Sequence, residues 1–353
     1  MLLGLPENLS TLVGRRFTAA KESNHIVFSK TQLTTLHASG IPYQLRYCPA
    51  LAKKQNQAPK VDEKKGPRPD PFENPSPDLL IAEVPQEQPR YALVLNKFPV
   101  IANHFILATK AWKSQTDILE KEDIEATYAC LQSWDETTTT DGVRDRGQGL
   151  DAAKRLFAFY NSGEESGASQ PHRHIQFLPV EAMRESESDA WRPLVDHFAT
   201  EKVTKTGAGL LVLPQLPFVH FARDIPSNPS ADVLHEIYLS LYKAAVTAAR
   251  GASSEDSSRT EGPAAVSYNL AMTLSTMIIC PRRREKAQLT INPQHAADVH
   301  QAGTLSLNGT ILAGTLMVKA EAEWNELRKN PENLNAVLAE ISYPRSDGTD
   351  RSS

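Results

Sequence analysis

The stretch that most restricts the fold runs Asn161-Ser-Gly-Glu-Glu-Ser-Gly-Ala-Ser-Gln-Pro-His172-Arg-His174-Ile-Gln176-Phe-Leu-Pro179. Its first half is glycine and small residues, the composition of a loop; its second half alternates with the period of a strand. Successive strand side chains point to opposite faces, so His172, His174 and Gln176 share one side and Arg173, Ile175 and Phe177 the other. Arg155-Leu-Phe-Ala-Phe-Tyr160 alternates as well and feeds straight into the loop. The two strands are therefore expected to pair antiparallel, which puts two imidazoles and an amide on one face of a sheet beside a turn.

Between Gly163 and Gln170 few side chains are bulky, so backbone N–H groups can approach and cradle an anion such as phosphate. A neutral imidazole is a competent nucleophile near pH 7, because its ordinary pKa is about 6.5. Taken alone, a His-X-His pair on a strand is more often a structural or metal-binding feature. The small-residue loop and the in-register Gln176 tilt the balance toward phosphoryl chemistry at His174.

Gly167-Ala-Ser-Gln-Pro-His-Arg-His-Ile-Gln176 resembles the active-site strand of the histidine-triad superfamily, in the branch where Gln replaces the last His. That branch holds galactose-1-phosphate uridylyltransferase and the fungal diadenosine tetraphosphate phosphorylases, also called ATP adenylyltransferases, and the second set is the nearer match. The resemblance implies an α+β fold: a histidine-triad-like antiparallel sheet with packed helices, in a catalytic lobe and a C-terminal lobe. It implies reversible phosphorolysis of diadenosine tetraphosphate to ATP and ADP through a covalent histidine–AMP intermediate. His174 is then the nucleophile, Gln176 a hydrogen-bond partner of a non-bridging phosphoryl oxygen and His172 an orienting group, while Asn161, Gly167, Ala168, Ser169 and Gln170 hold phosphates.

The same resemblance implies polyphosphate contacts at Lys54, with Lys53 beside it, and a nucleotide pocket lined by Asn96 and Lys97 in Asn-Lys-Phe-Pro. It places Thr273, Leu274, Ser275, Arg282 and Arg284, in and after the Tyr-Asn strand at 268–269, against the second nucleotide. Typical relatives carry a Lys and an aromatic after the Thr, where this chain has Leu274. Read without the family, these positions have plainer roles: solvated lysines, a turn asparagine bonding its own backbone, and a basic surface exit at 282–284. His104 and His220, in apolar company, read as satisfied core histidines.

Three other functions compete. A hexose-1-phosphate nucleotidyltransferase shares the chemistry, but that family has Pro and Gly where this chain has Arg173 and Ile175, and zinc-type Cys pairs are absent. A nucleotide-binding sensor without catalysis, and a metal-dependent hydrolase using His172 and His174 as ligands, are the others.

The 353 residues suffice for two domains. The expected division is a catalytic domain at 1–203, containing a Pro-rich extended connection at 55–89, a C-terminal domain at 204–345 and a disordered tail at 346–353. Helices are expected near 7–23, 122–132, 185–201 (broken at Pro193) and 230–250, and loops at 137–142 and 251–262. Strands are expected at 42–48, 91–100, 103–109, 207–214, 216–222 and 266–281. A net charge of −4 speaks against nucleic acid as main partner. Three scattered cysteines, with no Cys-X-X-Cys pair, suit free thiols in a reducing compartment. The N-terminus lacks a basic segment followed by an apolar one, and no run is long enough to span a membrane. The expectation is a cytoplasmic monomer, with the nucleus open to it, acting on a dinucleoside polyphosphate, ATP, ADP and phosphate. No covalently bound cofactor or protein-held metal is expected, and a divalent cation (Mg) accompanies the nucleotide.

Overall fold

The computed structural model describes residues 3–50, 69–134, 154–184, 191–199, 202–251, 255–291 and 303–344. Lys53, Lys54, the first half of the Pro-rich connection, the loop at 137–142 and the tail at 346–353 lie outside the described residues.

A ten-stranded sheet organises the molecule. Its strands are β3 (Leu80–Val84), β4 (Tyr91–Leu95), β5 (Phe105–Thr109), β6 (Leu156–Ser162), β7 (His174–Pro179), β8 (Thr204–Lys205), β9 (Leu211–Val212), β10 (Phe221–Asp224), β11 (Tyr268–Met272) and β12 (Thr276–Pro281). Their order is β3-β4-β5-β7-β6-β11-β12-β10-β9-β8. The expected pairing holds: β6 and β7 run antiparallel from Leu156↔Pro179 to Phe159↔Gln176, with the glycine loop between them. From β6 the ladder continues into β11, so one sheet joins the two halves of the chain.

Alternation along β6 shows why two cores form. Leu156, Ala158 and Tyr160 enter one cluster; Phe157 and Phe159 enter the other. The first cluster is covered by α1 (Leu9–Glu22), α2 (Lys121–Trp134) and α3 (Ala231–Arg250), each presenting apolar residues at helical spacing. Asn8 caps α1 and Ser230 caps α3, each accepting a backbone N–H at the first turn. The second cluster packs β2 (Ile41–Tyr47), β15 (Thr315–Val318), α4 (Glu321–Lys329) and α5 (Asn333–Glu340) against the opposite face. Here β15 lies parallel to β2, and β1 (Gln32–Ala38) completes a three-stranded sheet. A last pair, β13 (Lys286–Gln288) and β14 (Thr304–Ser306), stands apart.

Several expectations are corrected. Within the Pro-rich connection Leu80–Val84, a stretch free of proline that ends before Pro85, forms the edge strand β3. The strand at Gln32–Ala38 carried too little alternation to be read. After Pro193 the described part of the expected helix is a 3₁₀ segment, Leu194–Ala199. Between 251 and 262 a 3₁₀ turn at Glu255–Ser258 is held by an Arg250–Asp256 ion pair of 2.7 Å.

Arg173, on the helix-covered face, is 2% exposed and pairs with Asp123 at 2.6 Å and Glu120 at 3.0 Å. Asp123 also accepts from Tyr91 at 2.9 Å, so the buried charges are hydrogen-bonded as burial requires. Removing one partner of such a pair costs about 3–5 kcal/mol. Arg173→Met is therefore expected to lower the urea unfolding free energy by that amount. Arg284→Met, in the exposed 2.8 Å pair with Glu340, should cost less than about 1 kcal/mol. Equal losses would contradict this.

Candidate active site

On the face away from the three helices, β7 presents His174 and Gln176, and β6 and β11 present Asn161 and Asn269 beside them. His174 is 3% exposed. Its Nδ1–H donates to the backbone carbonyl of His172 at 2.8 Å, an i to i−2 bond within the same extended segment. Donation from Nδ1 leaves the lone pair on Nε2, which has no hydrogen-bond partner among the described residues. Burial lowers the His174 pKa to about 4, so the ring is neutral well below physiological pH.

His220 makes the same local bond, Nδ1 to the Phe218 carbonyl at 2.8 Å. Its Nε2, however, accepts the Leu213 N–H at 2.9 Å, and Phe198 and Phe218 stand edge-on to its ring. The second nitrogen separates the two rings, engaged in His220 and without a hydrogen-bond partner among the described residues in His174.

His172 is 1% exposed and has both ring nitrogens engaged, Nδ1 with Asp70 at 2.6 Å and Nε2 with Thr109 at 3.0 Å. Among the described residues no group of three His, Cys, Asp or Glu side chains stands ready for a metal. Phe72, two residues after Asp70, lays its ring 5.0 Å from His174 and 5.8 Å from His172, excluding water from both.

The β6–β7 ladder ends at Phe159↔Gln176, and one side chain bridges the gap as the strands part. Gln115 accepts the His174 N–H at 2.7 Å and donates to the carbonyls of Asn161 at 2.8 Å and His174 at 3.2 Å. A carboxamide thus does the work of a missing strand residue and fixes the level of His174. Asn161 uses its side-chain oxygen on Asn269 and on the Gly309 N–H, both at 2.9 Å, which leaves its amide N–H groups to donate elsewhere.

The loop from 163 to 167 is wedged against the C-terminal half. Gly163 has φ 87° and Gly167 φ 78°, backbone that side chains rarely adopt. A Cβ on Gly167 would lie 2.8 Å from the Asn308 Cβ, and one on Gly163 2.2 Å from the Ser267 Oγ. The N–H groups of Gly167, Ala168, Ser169 and Gln170 donate to no backbone carbonyl among the described residues.

Other expected contact residues are dispersed. Asn96 bonds its own turn, accepting Phe98 N–H at 2.9 Å, and its Nδ2 lies over the His104 ring, 3.0 and 3.5 Å from Nδ1 and Nε2. Exposed Lys97 extends over the Phe98 ring. Thr273, Leu274 and Ser275 form the β11–β12 turn, roughly 13 Å along the strand from Asn269 at about 3.3 Å per residue. Arg282 is 1% exposed, with its guanidinium bonded to the Asn269 oxygen and to the carbonyls of Arg284 and Leu307 at 2.8 and 3.0 Å. Such an arginine braces the site from within the fold, where an exposed contact was expected. Arg284 reaches Glu340 at the surface. Asp70, Phe72, Thr109 and Gln115 escaped the sequence reading. Each is an ordinary residue of a loop or strand end, and only the fold brings it to the histidines.

Sheet, loop and pinned imidazole suit a nucleotidyltransferase, and the family matches establish that class. The chain matches the Ap4A phosphorylase N-terminal domain over residues 2–197 and the ATP adenylyltransferase C-terminal domain over residues 214–344, and it belongs to this Ap4A phosphorylase family. Diadenosine 5',5'''-P1,P4-tetraphosphate phosphorylase 2 of Saccharomyces cerevisiae is 26% identical over 98% of this chain and 97% of its own length. Protein APA1 of the same yeast is 25% identical over 98% of each. Among solved structures, yeast Ap4A phosphorylase Apa2 superposes with a TM-score of 0.75 at 24% identity, covering 96% of this chain and 99% of that one. The Apa2 complex with Ap4A gives 0.73 at 25% identity over the same shares.

Gly167→Ala meets both a left-handed backbone and a tight neighbour, and is expected to cost about 1–3 kcal/mol in chemical denaturation. Gly207→Ala, with no atom within 4 Å of its added Cβ, should stay within about 0.5 kcal/mol. Equal midpoints for the two variants would refute the wedge.

Proposed function

We propose that this chain splits diadenosine tetraphosphate with phosphate into ATP and ADP, reversibly, through adenylated His174. The observation that carries the proposal is the pinned ring: Nδ1 held at 2.8 Å by the His172 carbonyl, Nε2 carrying the free lone pair. The Nε2 pair attacks the α-phosphorus, the bond to the α–β bridging oxygen breaks, and ATP leaves with that electron pair. A phosphate oxygen then attacks the same phosphorus, the P–N bond breaks with its electrons returning to Nε2, and ADP is released. The relative named Ap4A phosphorylase and the solved Apa2 complexes with AMP and Ap4A support these substrates.

Roles follow from chemistry. Gln176 offers amide N–H donors as negative charge redistributes around phosphorus, where fixed donors give the largest acceleration. Free amides at Gly167 to Gln170 and the Asn161 amide suit anionic phosphates. His172, fixed at both nitrogens, orients the segment whose carbonyl pins His174. Since His174 is 3% exposed under Phe72, substrate entry requires that ring to move aside. For Lys54, Asn96, Lys97, Thr273, Leu274, Ser275 and Arg284 the proposal remains polyphosphate or nucleotide contact. Magnesium, where present, arrives as part of the substrate. A monomer as the working unit belongs to the same proposal, and free buried Cys48, Cys130 and Cys280 support a reducing compartment, the cytoplasm with the nucleus open to it.

Incubation with diadenosine tetraphosphate should give ATP plus ADP when phosphate is present; ATP plus AMP would mark a hydrolase and overturn the proposal. His174→Ala should lose at least about 10⁴-fold in kcat, as nucleophile deletions do. Because burial holds the free-enzyme His174 pKa at about 4, kcat/KM should not fall through protonation of this ring until the pH approaches that value. An acid limb near 6.5, with the His174 ring seen by NMR to titrate over the same range, would show an exposed imidazole instead.

A further inference from the structure

A side-chain amide has two ends of similar size and opposite chemistry, and only its N–H end can hold a phosphate oxygen. For Asn161 that choice is made by groups with a single possible role. The Gly309 backbone N–H, which can only donate, bonds the Asn161 Oδ1 at 2.9 Å. Asn269, its partner across the β6–β11 ladder, donates to the same oxygen at 2.9 Å. Asn269 is itself fixed from both sides. The Arg282 guanidinium donates to its Oδ1, and the Ser166 carbonyl, which can only accept, takes a hydrogen bond from its Nδ2 at 2.9 Å. Turning Asn269 over would set N–H₂ against guanidinium and oxygen against carbonyl. Turning Asn161 over would set its N–H₂ against two donors. One orientation of each survives, and it leaves the Asn161 Nδ2–H₂ with no partner among the described residues.

We infer that Arg282, Asn269 and Gly309, all from the C-terminal half of the chain, are positioning residues: they hold the Asn161 oxygen and thereby present its N–H₂ to the phosphate of the nucleotide at His174. Asn161 stands where the next rung of the β6–β7 ladder would pair it with His174, and Gln115 ties the backbones of both. The donor and the imidazole therefore lie side by side on one sheet face. Asn161, Asn269 and Arg282 are 1%, 0% and 1% exposed, so little water can substitute for a lost partner. Gly309 is part of the same device. A Cβ there would lie 2.8 Å from the Asn161 Oδ1 and 2.8 Å from the Phe159 ring, and only bare backbone lets the N–H reach that oxygen.

This role rests on the proposed phosphate contact of Asn161 and is tested by binding, apart from adenylyl transfer, which wild-type turnover tests. Calorimetric titration of the full chain with AMP and with adenosine reads the phosphate contact as a ratio of affinities. Asn161→Ala should weaken AMP about 10–100-fold, the worth of a hydrogen bond to a charged group, and leave adenosine within about threefold. Gly309→Ala, whose methyl must displace the Asn161 oxygen, should weaken AMP about 5–30-fold with adenosine again within about threefold. In an Asn161→Ala background the same substitution should change AMP affinity by less than about twofold, since the group it displaces is gone.

Asn269→Ala provides an independent arm if Gly309→Ala does not fold. It withdraws the brace from the other side, so AMP should again weaken more than adenosine, and again only when Asn161 is present. Equal losses for AMP and adenosine, equal losses in both backgrounds, or wild-type AMP affinity in Asn161→Ala would overturn the positioning role while leaving the adenylyl transfer standing.

Discussion

One hydrogen bond sets the terms for the rest of the site: the Nδ1–H of His174 to the carbonyl of His172, 2.8 Å long. It chooses the tautomer, holds the ring, and leaves a single nitrogen with electrons to give. Such a bond requires an extended backbone, and it holds its aim only if the two residues cannot slide or twist. Most of the surrounding structure meets that demand. Gln115 ties the His174 backbone at both its N–H and its carbonyl, and Asp70 and Thr109 hold the ring of His172. Behind the strand, Arg173 is anchored to Asp123. A residue between two histidines, pointing the other way, thereby fixes both.

The second half of the chain is part of the same constraint. Asn269 on β11 donates to the Asn161 oxygen and to the Ser166 carbonyl, both at 2.9 Å, and Arg282 in turn bonds the Asn269 oxygen. Burial pulls the Arg282 pKa down to about 10, still far above neutral, so a cation sits inside the fold, held by carbonyl dipoles. The glycine loop is pressed between Ser267 and Asn308. Two segments matching separate domain models therefore form one continuous sheet, and the loop beside His174 takes its shape from both.

Much of this was legible in the residues. Alternation along Arg155–Tyr160 and His172–Phe177 gave the strand pair and the shared face, because a two-residue period admits only one assignment of sides. Helices α1, α2 and α3 announced themselves by spacing and by the Ser230 cap. What escaped was long-range. Asp70 is 102 residues from His172 and Gln115 is 59 from His174, and neither has a local pattern that marks it. Arg282 looked like the start of a surface basic run, yet only Arg283 and Arg284 face solvent; a charge inside an alternating strand end gives no sign of which side it takes. Read as a core histidine, His104 is one by burial, with Asn96 and Gln176 as its polar neighbours.

The stereochemical course at phosphorus tests the covalent step most directly. Diadenosine tetraphosphate carrying one sulfur at the α-phosphorus, in a single configuration, would be converted with phosphate to the corresponding thio-ADP. Two in-line displacements, the first by His174 Nε2 and the second by phosphate, each invert the centre, and net retention is expected. Inversion would mean that phosphate attacks the nucleotide directly, and that the pinned imidazole is never bonded to it.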